Sequence, residues 1–168
     1  MIVARCYSLL ALAGMLLIGS VSASANAQQL DAHFSCSETR DDHGLSTIFA
    51  DTGTIKVDGS TIKEFNWESS IFRSSHGLEC SIDQDDGVQA EVMGDAQHDA
   101  WRFSLRDAKT ARSNRGYDIS HGFNCTIRVA RIGDQVHIKP SCPALCGSRQ
   151  NFSELTVNLK TGACQYEE

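Results

Sequence analysis

Apolar and polar residues alternate on both sides of a tight turn within residues 124–142. Gly133 and Asp134 lie at the centre, and Gly at the first central position is typical of a two-residue type II′ turn. Such a turn fixes which residues face each other across the two strands. One face then carries only apolar residues and two cysteines: Cys125, Ile127, Val129, Val136, Ile138, Pro140 and Cys142. The pattern predicts a β-hairpin with one buried face and a cross-strand disulfide at its open end.

The same alternation recurs in short segments separated by Gly, Asp and Ser clusters. Asp58 and Gly59 are a type I′ turn signal, which places Ile55 opposite Ile62. Further strands are predicted at 33–38, 45–50, 54–57, 60–63, 76–82, 88–92, 100–106 and 155–159. We therefore expect an all-β fold: a single antiparallel β-barrel or strongly curved sheet of about eight strands, stapled by three disulfides.

The alternation fails over residues 107–122, the longest and most basic connection. A helical turn is predicted at 108–112, and residues 113–116, Ser-Asn-Arg-Gly, break it. A second single helical turn is predicted at 142–147, because Pro143 suits a first helical position and Gly147 suits a stop.

The N-terminus has the pattern of a secretory signal peptide. Arg5 supplies the positive region, residues 9–18 the apolar region, and residues 25–27 an A-x-A cleavage site. We expect cleavage near Ala27, so that residues 1–27 are removed and 28–168 form a single secreted β-domain without a membrane span. The Ala-Asn-Ala site is typical of bacteria, so the expected location is the periplasm, or outside the cell.

Six cysteines follow the predicted cleavage point: Cys36, Cys80, Cys125, Cys142, Cys146 and Cys164. An even number in an exported chain indicates three disulfides in an oxidising compartment. With Cys125 paired to Cys142, the other four allow three pairings. We favour Cys36 with Cys80 and Cys146 with Cys164, because each pair joins neighbouring parts of the sequence.

Charge is distributed unevenly along the chain. Residues 28–99 hold 15 acidic and 4 basic residues, whereas residues 100–168 hold 6 acidic and 10 basic residues. An acidic chain argues against binding to nucleic acid, whose phosphates require clustered Lys and Arg. It is compatible with a cationic protein partner, since charge steers association.

Catalytic and metal-binding patterns are weak. The histidines have no metal-ligand spacing, there is no G-x-S-x-G motif, and no Gly-rich phosphate loop is present. Residues 83–87, with three Asp and a Gly, are similar to part of a calcium loop but lack its later ligands, so we interpret them as an acidic turn. Cys142 and Cys146 are interpreted as disulfide cysteines rather than zinc ligands. No catalytic residue, cofactor or metal is predicted.

The end of the chain has a basic hairpin followed by a C-x-x-x-C-G-x-R-x-x-F segment. Its defined positions are Cys142, Cys146, Gly147, Arg149 and Phe152. This segment resembles the ending of small exported β-proteins of Gram-negative bacteria, some of which are grouped with periplasmic lysozyme inhibitors. The resemblance covers about a fifth of the chain, and it implies compartment and fold.

Residues 74–80, Ser-Ser-His-Gly-Leu-Glu-Cys, resemble the Ser-x-Ser-Gly-x-x-Tyr loop of C-type lysozyme inhibitors, which are small antiparallel barrels. In that family a loop Ser and a basic residue from another loop enter the lysozyme cleft. Here His76 stands in place of the second Ser, and Cys80 in place of the Tyr. The resemblance implies that Ser74, Ser75 and His76 contact a partner protein.

We therefore expect a non-catalytic periplasmic binding or inhibitory protein, such as a lysozyme inhibitor or an immunity protein paired with an effector. The alternative is a small-ligand carrier that uses the barrel interior, which requires an apolar cavity of roughly 300 Å³ or more. A peptidoglycan-acting hydrolase is third, with Asp85, Asp86, His76 or His121 as the residues to test.

Overall fold

The computed structural model describes residues 28–42, 44–95, 98–120, 123–142, 145–147 and 151–167. The predicted signal peptide, residues 1–27, lies outside these ranges, as do His121, Pro143 and Arg149. Within the described ranges, no helix has the length and hydropathy needed to cross a membrane.

The described residues form ten β-strands and one α-helix, and the strands pair into two antiparallel sheets. The first sheet contains, in spatial order, β1 (Gln29–Asp42), β2 (Leu45–Asp58), β3 (Thr61–Arg73) and β4 (His76–Asp83). The second sheet contains β5 (Val88–Val92), β6 (Asp99–Leu105), β7 (Thr126–Ile132), β8 (Gln135–Pro140), β9 (Leu155–Asn158) and β10 (Cys164–Tyr166), also in spatial order. Helix α1 (Ala108–Asn114) lies between β6 and β7. The predicted antiparallel β-fold is confirmed.

The chain changes sheet after β4, and this differs from the expected single barrel or curved sheet of about eight strands. Asp83 caps a short 3-10 turn (Gln84–Asp86), and Gly87 follows with φ 78°. This reversal ends the pairing of β4, so β5 pairs with β6 instead. In the described part of the chain the strands therefore form two sheets and do not close into one barrel.

Strand β2 runs unbroken through a segment expected to interrupt it. The sequence predicts separate strands at 45–50 and 54–57, with no strand over residues 51–53. Gly53 instead lies within the paired strand, and the ring of Phe34 on β1 fills the space where its side chain would be. The glycine therefore serves packing rather than chain reversal.

One hydrophobic core lies between the two sheets. The inward-facing residues alternate along each strand, as the pleat requires. The ring centroids of Phe65 on β3 and Phe103 on β6 are 5.1 Å apart, so the two sheets are in contact through these rings. Other fully buried members include Trp67, Trp101, Ile55, Val129, Val136, Ile138, Leu155, Val157 and Phe152.

The hairpin of β7 and β8 has the predicted register. Ile132 pairs with Gln135 and Ile127 pairs with Pro140, while Gly133 has a positive φ of 62° at the turn. The predicted helical turn at 108–112 is also present, as the start of α1, and Gly116 follows this helix with φ 69°.

The register predicted for the turn at Asp58 and Gly59 is wrong. Val57, not Ile55, faces Ile62, and Ile55 faces Phe65. The two unpaired turn residues are Gly59 and Ser60, and the register shifts again at a bulge between Lys56 and Val57. A bulge adds one residue to one strand and so changes every pair beyond it.

Three disulfides are present among the described residues. Cys125 pairs with Cys142 as predicted, with their Cα atoms 5.7 Å apart. The other two favoured pairs, Cys36–Cys80 and Cys146–Cys164, are wrong. Cys36 pairs with Cys164 and Cys80 pairs with Cys146, across 128 and 66 positions of sequence. Pairing by closeness in sequence is wrong because the edge strands β1 and β4 lie next to segments from the end of the chain.

Candidate binding surface

The three residues implied by the resemblance lie together at an exposed hairpin tip. Ser74 and Ser75 form the two-residue turn between β3 and β4, and Arg73 pairs with His76 to close it. All four side chains are exposed. The Ser75 hydroxyl lies 2.8 Å from His76 Nδ1, within hydrogen-bonding distance. We call residues 73–76 the hairpin tip.

The strands that carry the hairpin tip are fixed by a buried amide. Asn151 is fully buried, and its Nδ2 donates to the carbonyl oxygens of Ser69 on β3, at 2.9 Å, and Leu78 on β4, at 2.8 Å. The Ser69 hydroxyl donates to the backbone carbonyl oxygen of Asn151 at 3.1 Å. The Cys80–Cys146 disulfide holds β4 close to the same point. The hairpin tip is therefore a short projection from a rigid base.

An exposed apolar pair lies beside the hairpin tip on the outer face of the first sheet. Ile48 on β2 and Phe72 on β3 are directly opposite each other, and each is 42% exposed. The Phe72 ring covers Gly77, with a ring carbon 3.1 Å from where a Cβ would lie. Leu45, at the start of β2, is 59% exposed. Apolar groups grouped beside a projecting turn are typical of a protein-binding surface.

Basic groups lie across the same end of the sheet on its other face. The pairing places Arg40, Thr47, Arg73 and His76 in one row across the four strands. Arg40 binds the Glu38 carboxylate through two nitrogens, at 2.9 and 3.1 Å, and this hydrogen bonding lowers the pKa of Glu38. The tip thus presents hydroxyl, imidazole and guanidinium donors on an otherwise acidic sheet.

A buried carboxylate, which is not among the site residues predicted from the sequence, lies further along β2. Asp51 is 1% exposed and accepts hydrogen bonds from Trp67 Nε1, at 2.7 Å, and from the Tyr166 hydroxyl, at 2.8 Å. Burial raises the pKa of Asp51 despite these bonds. Burial and the nearby Asp51 charge also raise the pKa of Tyr166. The enclosed carboxyl group therefore links β2 to Trp67 on β3 and to Tyr166 on β10.

The acidic turn after β4 binds the guanidinium group of Arg115. Arg115 donates from Nε to Asp86, at 2.7 Å, from Nη2 to Asp83, at 2.5 Å, and from Nη1 to the Ser81 hydroxyl, at 2.7 Å. Hydrogen bonding to Asp86 is the main reason that the pKa of Arg115 is raised. No cluster of three or more His, Cys, Asp or Glu side chains suited to a metal ion occurs among the residues that the structure describes.

The residues proposed for a hydrolase are not brought together. His76 begins β4 and Asp85 follows its end, so about 23 Å of extended strand separates them. Asp86 is engaged by Arg115. His121 lies outside the described residues.

A small cavity lies in the core between the two sheets. An apolar cavity lined by Phe65, Ile82, Phe103 and their neighbours has a volume of about 10 Å³. That is room for a single water at most. A larger concave region, about 710 Å³, is an open groove outside the sheet, lined mainly by polar residues such as His33, Thr54 and Asn66.

The hairpin tip has a fixed base and lies beside an exposed apolar pair. Comparison of the chain with protein-family models, with curated proteins and with solved structures found no match.

Proposed function

We propose that this protein is a non-catalytic, exported binding protein that inhibits a partner enzyme by placing the β3–β4 hairpin tip in the partner's cleft. The observation that carries the proposal is the hairpin tip itself. Ser74, Ser75 and His76 are exposed, yet their strands are held by Asn151 and by the Cys80–Cys146 disulfide. A binding element that is already rigid loses little conformational entropy on association.

The charges favour a cationic enzyme that cleaves glycans, such as a lysozyme, as the partner. Residues 28–168 carry 14 basic and 21 acidic residues, so the protein attracts a cationic partner at long range. At short range, Arg73 and His76 offer donors to the paired carboxylates of a glycosidase cleft. The exposed pair of Ile48 and Phe72 supplies apolar contact beside the cleft.

The compartment is part of the same proposal. Three disulfides suit an oxidising environment such as the periplasm or the outside of the cell. An immunity protein that neutralises a peptidoglycan-cleaving effector would use the same surface in the same way. A carrier for small ligands is less well supported, because the cavity between the sheets is too small to hold one.

Clearing of a peptidoglycan suspension by C-, G- and I-type lysozymes, with and without the oxidised protein, tests the proposal. We expect stoichiometric loss of clearing for at least one type. Ser75→Ala and His76→Ala should each weaken inhibition about tenfold, because each removes a polar contact at the centre of the interface. Ser60→Ala is the matched control, since Ser60 is exposed in the turn at the opposite end of β3. Full clearing by all three types would refute lysozyme inhibition, and equal loss in Ser60→Ala would refute the role of the tip.

A further inference from the structure

Three cations lie side by side on the outer face of the second sheet. The strand pairing places Arg102 on β6 opposite Arg128 on β7, and Arg128 opposite Lys139 on β8. We call these three residues the cationic row. Like charges directly opposite each other destabilise a sheet. Folding stability therefore does not explain this arrangement.

Among the residues that the structure describes, the two outer members of the cationic row have carboxylate partners and the central one has none. Arg102 pairs with Glu91, and Lys139 pairs with Glu154 at 2.6 Å. Arg128 is exposed and makes no ion pair or side-chain hydrogen bond with the part of the chain that the structure describes. Its guanidinium is thus available to a ligand between two further cations.

A depression beside the cationic row is partly apolar. It has a volume of about 300 Å³ and is lined by Arg128, Ala130, Ile132, His137, Lys139 and Glu154. Ile132 is 65% exposed, the largest exposed fraction among the large apolar side chains described. An anion that binds here thus meets an apolar surface next to the charges.

We propose that this face binds an acidic peptide segment of a partner protein, with carboxylates on Arg128 and Lys139 and an apolar side chain against Ile132. The planar guanidinium of Arg matches a carboxylate through two parallel hydrogen bonds. Inorganic polyphosphate and similar polyanions would satisfy the charges but leave Ile132 uncovered. A peptide supplies both kinds of group. The site lies on the second sheet, so it is independent of the hairpin tip and of the proposed inhibition.

Fluorescence anisotropy with labelled peptides tests this site in the oxidised protein. The probe alternates Glu and Leu, and the comparison peptide alternates Lys and Leu. We expect saturable binding of the acidic probe alone, weakened about tenfold by Arg128→Gln, which removes the charge-assisted bonds. Arg106→Gln is the matched control, because Arg106 is exposed and lies beyond the end of β6. The Tm of Arg128→Gln should equal or exceed that of the wild type, since a repulsion is removed.

Further measurements distinguish an acidic peptide from other ligands of this site. Ile132→Asn should weaken binding of the Glu-Leu peptide but leave binding of oligoglutamate unchanged. Tighter binding of polyphosphate than of the peptide, or self-association of the protein that Arg128→Gln abolishes, would overturn the choice of an acidic peptide. Failure of the acidic probe to bind, or a lower Tm for Arg128→Gln, would overturn the site itself.

Discussion

At the scale of single residues, Asp51 has the clearest consequence for stability. Burial raises the pKa of its carboxyl group, so the folded state binds the proton more tightly than the unfolded chain does. The resulting stabilisation is fully present below about pH 4, near the pKa of an unfolded Asp, and is lost as pH rises through the folded pKa. At higher pH the ionised carboxylate of Asp51 is destabilised by burial. The hydrogen bonds from Trp67 and Tyr166 only partly offset this destabilisation.

Asp51→Asn removes this dependence on pH while it keeps an acceptor for Trp67. We expect the free energy of unfolding of Asp51→Asn, relative to the wild type, to increase between pH 4 and pH 7. Urea unfolding of both proteins at several pH values measures this difference. Asp51→Ala is the comparison: it leaves two donors without an acceptor and should cost about 1–3 kcal/mol. If the difference in free energy of unfolding between Asp51→Asn and the wild type is constant with pH, the pKa of Asp51 is not raised by folding.

The position of Asp51 could be read from the sequence, but its role could not. Alternation along β2 places Asp51 on the same face as Ile55 and Val57. A strand that continues from residue 45 to residue 57 therefore predicts that the Asp51 carboxylate is buried. Its partners, Trp67 and Tyr166, lie 16 and 115 positions away in the chain. Tyr166 belongs to β10, a strand of three residues that shows no periodicity of its own.

At the scale of elements, the β3–β4 hairpin depends on the side chain of Asn151. This side chain donates to one carbonyl on each strand, and the bond to Ser69 is buried while the bond to Leu78 is partly buried. Asn151→Ala should therefore lower the free energy of unfolding by about 1–3 kcal/mol, since buried carbonyls lose their donors. It should also speed hydrogen exchange of backbone amides in β3 and β4 near the hairpin tip. Denaturant unfolding and exchange mass spectrometry measure the two effects.

Asn114→Ala is the matched control for this prediction, because Asn114 is exposed at the end of α1. It should change stability by less than about 0.5 kcal/mol, as is usual for surface positions. Loss of stability in Asn151→Ala without faster exchange near the tip would mean that Asn151 supports the core but does not fix the hairpin.

Local signals in the sequence predicted local elements well and pairing between distant elements poorly. The β7–β8 hairpin was predictable because Gly133 and the alternation on both sides specify one register. The β2–β3 register was not, since a bulge next to Val57 has no sequence signal of its own. Ser74 and Ser75 lie in the turn between β3 and β4, and His76 begins β4, which agrees with the strand predicted at 76–82. Asn151, whose side chain holds the two strands beneath them, lies more than 70 positions away in the chain.

At the scale of the whole molecule, the disulfides hold both edges of the first sheet. Cys36 on β1 is joined to Cys164 on β10, an edge strand of the second sheet. Cys80, on the opposite edge strand β4, is joined to Cys146 in the segment between β8 and β9. Cys125–Cys142, in contrast, closes a single hairpin of the second sheet. Two of the three disulfides therefore hold the last third of the chain against the first sheet.

The lengths of the closed loops predict how much each disulfide stabilises the fold. The separations are 128, 66 and 17 positions, and a longer loop restricts the unfolded chain more. Replacing Cys36 and Cys164 together by Ala should cost about 4–5 kcal/mol, and replacing Cys125 and Cys142 about 3 kcal/mol, with the Cys80 and Cys146 pair between them. Guanidinium unfolding of the three double variants gives the order. An equal cost for all three pairs would show that loop closure does not dominate, and that native contacts around each disulfide set its contribution.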